Sequence, residues 1–361
     1  MHICVTGPKT CPPEIGGIEV FGYEVGRTLA GRGMRISIVC SAAGHPPGTT
    51  RLDGIDIVRI RGIPQRHLLK LSMMPGIRSA VRRLRPDIVH ANDATSGYAV
   101  ASMKDRPKLV VTVHGLGFSK ADWAPPFRQG IEYFQTRAVE RADVVVATDR
   151  RTAQEFEELR GDIRVIAPGV DVKTFSKDRY QRPAELTQDR FNILYVGRLT
   201  KVKGFDLAVR GVDAVTPIIR DRIRLTVVGS GPLAESASGT KADIRLLGEL
   251  PHAELPAYFS NADLVIQPSR SEGVPITILE AMASNTPVAA TMVGGVGTCF
   301  DERHLVPITE ITPTGVATAI KYAVSNADDV TKRSDNAFRK VRDEFSWESV
   351  ADKYQEIFRT L

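Results

Sequence analysis

Phe191-Asn192-Ile193-Leu194-Tyr195-Val196 is a short apolar, β-forming run. It breaks at Gly197 into a basic turn, Arg198-Leu199-Thr200-Lys201-Val202-Lys203-Gly204, that leads into an amphipathic stretch. A strand, a glycine-bounded turn and a helix in that order form the unit of a parallel sheet. The same order recurs along the chain. Upstream, strands are expected at 2–6, 35–40, 87–90, 108–113, 143–147 and 164–166, with helices such as 18–32 and 130–141 between them. The pattern pauses over the polar stretch 172–190, which reads as a linker. It restarts at 191–196 and continues at 224–228, 244–247, 264–267 and 287–290. Two such series predict an α/β chain of two doubly wound, Rossmann-like parallel-sheet domains, 1–172 and 173–344. They are followed by an amphipathic helix, 345–361, that Ser346 opens as N-cap. In sheets of this kind ligands bind beyond the carboxyl ends of the strands, so the turns after strands hold the candidate chemistry.

The length of 361 residues suits two domains. The composition, 42% hydrophobic and 25% charged, excludes disordered, collagenous and disulfide-knit classes. No apolar run is long enough to span a bilayer. Cys4, Cys11, Cys40 and Cys299 lie far apart with no C-x-x-C pair, which fits a reduced, cytoplasmic setting. The first residues read as a strand running into a turn, not as a signal peptide. The net charge of +6 is uneven: residues 1–175 hold 25 Lys/Arg against 18 Asp/Glu. Between Asp56 and Asp87 there is no acid but eight bases, including Lys70, Arg78, Arg82, Arg83 and Arg85. Such asymmetry points to an anionic partner. A helix over 75–85, with Pro75 in its first turn, would put Met73, Ile77, Val81 and Leu84 near one face. The arginines would lie beside them, as in a helix that rests on anionic lipid at the inner face of a membrane.

Four turns stand out. Gly16 and Gly17 close the first turn and enter a helix whose N-terminus can receive an anion. His114 ends the strand 108–113, where polar contacts to a ligand are made. Arg198 and Lys203 place two cations on one turn, a fork and a point charge suited to a diphosphate. Gly229-Ser230-Gly231-Pro232-Leu233-Ala234 imitates the dinucleotide fingerprint, with Glu249 twenty residues on. It follows the second strand of its series and Pro232 removes a donor, so a tight turn beside a nucleotide base is the better reading. The richest segment runs from Ser269 to Ala283. Glu272 sits in a turn and Glu280 eight positions on in a helix, so that both carboxylates can face one cleft. Backbone N–H groups within Val274–Thr277, from Val274, Ile276 and Thr277 around Pro275, would meet phosphate at the helix N-terminus.

The set GGIE (16–19), VHG (113–115), PGVD (168–171), VGRLTKVKG (196–204), VVGSGP (227–232), the E-x7-E helix and FSWESVADKYQEIF (345–358) resembles the retaining glycosyltransferases of family 4 over nearly the whole chain. The first turn and VHGLGFSKADW (113–123) are similar to a rhamnosyltransferase-like subgroup. The resemblance implies a GT-B fold with the donor held by the C-terminal domain and the acceptor facing the N-terminal one. It implies that Arg198 and Lys203 bind the donor diphosphate and that Glu280 holds the ribose. Glu272 would contact the transferred sugar together with Gly273 and the helix start, and His114 would touch the sugar near the reacting carbon. Gly16 and Gly17 would line the phosphate, and Gly229 and Leu250 would flank the base. The implied reaction moves a hexose-type sugar from a nucleotide-diphosphate sugar to a glycan or lipid-linked acceptor, in cell-surface polysaccharide or glycolipid synthesis. Two departures stand in the motifs: Ala167-Pro168-Gly169 lacks the usual Asn, and Gly294-Gly295-Val296-Gly297-Thr298 lacks the usual Glu. No D-x-D triplet occurs, so a carboxylate-held metal and a resident cofactor are not expected, nor is a nucleic-acid partner. The competing classes are an NAD-type dehydrogenase built on the Gly229 turn and a catalytically silent sugar-nucleotide binder. The first leaves Arg198, Lys203, Glu272 and Glu280 idle; the second keeps the fold without turnover.

Overall fold

The computed structural model describes residues 1–13, 17–42, 44–65, 68–114, 125–177 and 179–361, with backbone alone for 125–128. The chain divides into two compact units, Met1–Pro168 with Trp347–Leu361, and Gly169–Ser346. The first division falls a little before residue 172 because Val170 bridges to Ser346 and its N–H bonds to Phe345 O at 2.8 Å, which ties this segment to the second unit.

The first unit contains β1 (His2–Thr6), α1 (Gly17–Gly31), β2 (Arg35–Ser41), β3 (Gly48–Leu52), β4 (Ile55–Ile60), α2 (Leu69–Leu84), β5 (Ile88–Ala91), α3 (Ala94–Ala101), β6 (Lys108–Val113), α4 (Pro125–Arg141), β7 (Val144–Ala147), α5 (Arg150–Gln154) and β8 (Arg164–Val165). The sheet order is β3-β4-β2-β1-β5-β6-β7-β8. All pairs are parallel except β3 with β4. That hairpin is absent from the sequence reading. Its signal is Asp53-Gly54, both at positive φ (50° and 78°), as a two-residue hairpin turn requires.

The second unit contains β9 (Phe191–Val196), α6 (Phe205–Asp213), α7 (Pro217–Arg220), β10 (Ile223–Val228), β11 (Ile244–Leu246), α8 (Leu255–Asn261), β12 (Leu264–Gln267), α9 (Ile276–Ala283), β13 (Val288–Thr291), α10 (Gly295–Cys299), β14 (Val306–Ile308), α11 (Pro313–Ser325) and α12 (Ala327–Glu344). Its sheet is parallel throughout in the order β11-β10-β9-β12-β13-β14. Residues 172–190 are not a free linker. Phe175 and Leu186 are buried, and the Phe175 ring meets Phe259 of α8 at 5.8 Å, because burying such side chains outweighs the polarity of their neighbours.

The last helix, α13 (Trp347–Arg359), packs in the first unit. Trp347, Val350, Ala351, Tyr354, Ile357 and Phe358 recur at helical spacing and join one core with Ile3, Val5, Phe21, Leu29 and Ile38. The opposite face of that sheet is covered by α2, α3 and α4 through Met73, Ile77, Val81, Val100 and Val139. Each such fully buried aliphatic side chain contributes about 1.5–3 kcal/mol. Both units are therefore two-faced α/β layers, and each sheet reverses its winding between two neighbouring strands: β1 and β5 in the first, β9 and β12 in the second.

Candidate functional site

In the second unit the turn after β9 and the loop after β12 leave adjacent strands at the winding reversal, where an open parallel sheet forms a crevice. The turn is held rigidly. Tyr195, fully buried, donates its hydroxyl to Arg198 O (3.1 Å) and Lys203 O (3.2 Å). Arg270 reaches back from the loop after β12. Its N–H bonds to Val202 O at 2.8 Å and its guanidinium clamps Asp206 with two bonds of 2.8 Å, holding that carboxyl below its ordinary range. Gly204, at φ +67°, permits this approach: a Cβ there would lie 1.9 Å from Pro268 O.

The two segments meet chemically at Lys203 and Glu272. The ammonium donates to both carboxylate oxygens, at 2.6 and 2.7 Å. Ser269 Oγ donates to Glu272 Oε1 at 2.8 Å, and Gln267 Nε2 bonds to Ser269 Oγ at 2.9 Å. The Glu272 side chain is only 7% exposed and that of Lys203 23%, so the pair is largely withdrawn from water. Arg198 is exposed and its guanidinium forms no hydrogen bond or ion pair among the described residues, so its charge remains available. Gly294 lies against the Glu272 backbone, where a Cβ would come within 1.8 Å of Glu272 O. The Gly-Gly pair that lacks the usual Glu therefore still shapes this loop. Sequence reasoning passed over Ser269, Gln267 and Arg270. The spacing Ser269-x-x-Glu272 is a recognisable side-chain pairing pattern; nothing local marks Gln267 or Arg270.

Glu280 stands one turn into α9, with a side chain 3% exposed, and its Oε1 receives a hydrogen bond from His252 Nε2 at 2.7 Å. His252 lies just beyond Leu250 and was not singled out by sequence. Gly229, at the end of β10, bonds through its N–H to Gly248 O at 2.7 Å, which sets the 248–250 segment beside this turn. Pro275 precedes α9 in extended conformation, so the first N–H groups of the helix, from Ile276 and Thr277, face away from intrahelical partners; Gly273 and Val274 lead into them.

The first unit is chemically different at its own reversal. Gly7 follows β1 and abuts Asp93, which caps α3 by accepting from Ser96 N at 2.8 Å and pairs with Lys70 at 2.9 Å. His114 follows β6. Its Nε2 is buried with no hydrogen-bond partner among the described residues, and its ring meets Phe21 edge-on at 4.8 Å. Burial and the Lys70 charge push it down to about 4, so it is neutral at pH 7. His90, fully buried, is pushed down to about 3 by burial and by His114. Its Nε2 bonds Thr112 Oγ1 at 2.7 Å, and that hydroxyl meets Tyr354 of α13 at 2.8 Å. Gly17 begins α1, and Glu19 in the first turn of that helix accepts from Lys9 N. Gly16 lies outside the described residues.

The basic stretch requires a correction. Pro75 lies inside α2, not in its first turn, because the apolar residues ahead of it extend the helix back to Leu69. Met73, Ile77 and Val81 are buried in the unit's own core and cannot face lipid. Arg78 is also engaged: its guanidinium donates to Ala99 O (3.0 Å) and Ser102 Oγ (2.6 Å), where it offsets the negative C-terminal end of α3. Arg82, Arg83 and Arg85 remain exposed. Among the described residues, no helix is long and apolar enough to cross a membrane, and no group of three or more His, Cys, Asp and Glu side chains is arranged to hold a metal ion.

Comparison with known proteins follows this geometry. Residues 15–174 match the family Glycosyltransferase Family 4, and residues 190–326 match Glycosyl transferases group 1. TuaC of Bacillus subtilis strain 168, a glycosyltransferase assigned to teichuronic acid biosynthesis, is 32% identical over 62% of this chain and 58% of its own length, little more than half of that relative. A D-inositol 3-phosphate glycosyltransferase of Catenulispora acidiphila is 27% identical over 99% of this chain and 94% of its own. Among solved structures, the sucrose-phosphate synthase of Thermosynechococcus elongatus superimposes with a TM-score of 0.83 at 21% identity, covering 99% of this chain and 98% of that one. WaaG, a glycosyltransferase of lipopolysaccharide biosynthesis, gives 0.77 at 15% identity, covering 98% and 99%.

Proposed function

Because the chain belongs to the family 4 type of GT-B glycosyltransferases, which use nucleotide sugars, we propose that it moves a hexose-type sugar, with retention of configuration, to a hydroxyl of a glycan or lipid-linked acceptor in cell-surface polymer or glycolipid synthesis. The observation that carries the reading is the juxtaposition of Arg198, Lys203 and Glu272 at the winding reversal of the second unit, with Glu280 one helix turn behind. A dehydrogenase reading has no use for these four residues.

In this reading Arg198 meets the diphosphate as an uncommitted fork, and Lys203 exchanges its Glu272 partner for the diphosphate. The transition state of glycosyl transfer is oxocarbenium-like, and the bond that breaks adds a further negative charge to a diphosphate that already carries one on each phosphate. Arg198, Lys203 and the α9 N-terminus stabilise that growing charge. Glu272 accepts from hydroxyls of the transferred sugar, and Glu280 from the ribose. The acceptor oxygen attacks from the leaving-group side, and its proton passes to the departing phosphate oxygen. The acceptor class draws support from the relatives, one assigned to teichuronic acid biosynthesis and one named for D-inositol 3-phosphate.

The test is a nucleotide-sugar panel. UDP-, GDP-, dTDP- and ADP-hexoses are screened by calorimetry, the turning-over donor is identified, and the anomeric coupling of the product is read by NMR. The donor's own anomeric configuration is expected in the product, and an inverted product would overturn retention. Turnover is expected to persist in EDTA; loss restored by magnesium or manganese would overturn charge neutralisation by Arg198 and Lys203 alone. The exposed Arg82, Arg83 and Arg85 are proposed to meet an anionic membrane surface, each adding about 1 kcal/mol at low salt. Phosphatidylglycerol vesicles should pellet the protein, and changing the three to Ser should abolish pelleting; a wild type that stays in the supernatant refutes the contact.

A further inference from the structure

His252 belongs to none of the motifs that mark this family in the chain, yet it makes the described side-chain hydrogen bond to Glu280. Its position is built, not incidental. It follows Pro251 at the start of a short 3-10 turn, His252–Glu254, that leads into α8. Its ring meets Phe175 at 5.5 Å, and Phe175 is itself buried against Phe259 of α8. Its Nε2 lies 2.7 Å from Glu280 Oε1. The exposures are unequal: 54% for the His252 side chain and 3% for that of Glu280. A carboxylate so buried is costly unless a donor compensates it. Glu280 Oε2 has no hydrogen-bond partner among the described residues, so this is the oxygen left for a ligand. For Glu280 to be a carboxylate in this geometry, the proton of the shared bond must sit on His252 Nε2.

We propose that His252 is a positioning residue for nucleotide recognition. By donating from Nε2 to Glu280 Oε1 it holds that carboxylate turned so that Oε2 accepts from the vicinal hydroxyls of a ribose. The inference rests on the assignment of Glu280 to the ribose made above and extends it to a residue outside the motif. It places specificity for a ribonucleoside over a 2′-deoxyribonucleoside in a pair of side chains rather than in Glu280 alone. Without His252 the carboxylate loses the bond that orients it, and the ribose loses its acceptor. Gln at 252 presents an amide N–H at nearly the reach of Nε2 and should preserve the function; Ala should not.

The experiment measures Kd by calorimetry for UDP, GDP and ADP, takes those that bind the wild type, and compares each with its 2′-deoxy counterpart. For His252→Ala the ribonucleotide should weaken about tenfold, the loss of one hydrogen bond to a charged group, while the 2′-deoxy form changes less than about twofold. His252→Gln should stay within about threefold of wild type for both. Equal weakening of both nucleotides by His252→Ala would mean that the residue merely holds its loop and would overturn the proposal, as would no weakening at all. Glu280→Ala separates the two levels. If Glu280→Ala weakens the ribonucleotide and its 2′-deoxy form equally, the Glu280 assignment is wrong. If Glu280→Ala weakens the ribonucleotide selectively and His252→Ala does not, only the proposal for His252 falls. Failure of the wild type to bind any of the three removes the donor assignment beneath both.

Discussion

The two units share one plan and spend it differently. Each carries a parallel sheet with helices on both faces and a winding reversal at its centre. At the reversal of the second unit the exits of β9 and β12 bear Arg198, Lys203, Glu272 and the Arg270–Asp206 clamp, charges fixed by charges. Near that of the first unit, the residues that follow or end strands are Phe21-packed His114 and His90, both neutral at pH 7, with one ion pair, Lys70–Asp93, beside them. The backbone fold thus decides where chemistry can be placed, and the side chains decide its kind. A surface of paired charges can meet a charged leaving group by exchanging partners. A dry wall of neutral rings can meet an uncharged, polar ligand without repelling it.

The largest expected effect breaks the charged side of that contrast. Glu272→Ala should lower turnover about a hundredfold, as loss of a group acting beside the reacting sugar does, while leaving affinity for a free nucleoside diphosphate at least as high as before because Lys203 is released. Kinetics and calorimetry on one preparation decide this. Weaker diphosphate binding would show that Glu272 works by aiming Lys203 rather than by touching sugar.

Next come the two cations. Lys203→Ala and Arg198→Ala should each weaken nucleoside diphosphate binding by about 1.5–3 kcal/mol. Only Lys203→Ala should also lower Tm, since it strands the buried Glu272 carboxylate, whereas Arg198 has no protein partner to strand. Equal Tm values for the two variants would erase the distinction between a committed and an uncommitted cation.

The third test addresses the neutral side. His90 titrates near 6.5 when unfolded and about 3 when folded, so the folded state takes up the proton less readily. The stability linked to it is full above pH 6.5 and is lost as pH falls towards 3. Between pH 7 and 5 the first unit should lose about 2 kcal/mol on this account. Amide exchange in β5 and β6, corrected for its intrinsic pH dependence, should accelerate accordingly. Constant protection would mean that the His90 pocket admits a proton.

The smallest effect sharpens the same pocket. Tyr354→Phe removes the hydroxyl that α13 contributes to Thr112 and should cost the first unit about 1 kcal/mol, because Thr112 keeps its bond to His90. A urea midpoint measures it. A loss several times larger would show that the bond organises the whole pocket.

Much of the frame was legible residue by residue. The bounds of β1, β6, β9 and β12 coincide with the apolar runs read from sequence, because a buried parallel strand is a continuous β-branched or aliphatic stretch ended by a turn. The β3–β4 hairpin was missed: β3 is exposed along its length and carries no apolar run to announce it. The start of α2 was misplaced because Pro75 reads as a helix opener, yet a helix tolerates an interior proline when packing of Met73 and Ile77 compensates for the lost bond. In the site, Lys203, Arg198, Glu272 and Glu280 were named from motifs, while Gln267, Arg270 and His252 were not, since each gains meaning only from what lies across from it.

Sequence alone determined most of the strands and the turns that follow them, the division into two α/β series and the identity of the charged groups, because these depend on local pattern and composition. The tertiary structure decided which charges meet. Lys203 and Glu272 lie 69 positions apart, and only the pairing of β9 with β12 brings their turns together. It also decided that Arg78, expected beside a lipid surface, caps a helix of its own unit, while the Arg198 guanidinium stays unpaired among the described residues. Long-range strand adjacency is set by the burial of whole faces summed over many residues, and no short window of sequence contains that sum.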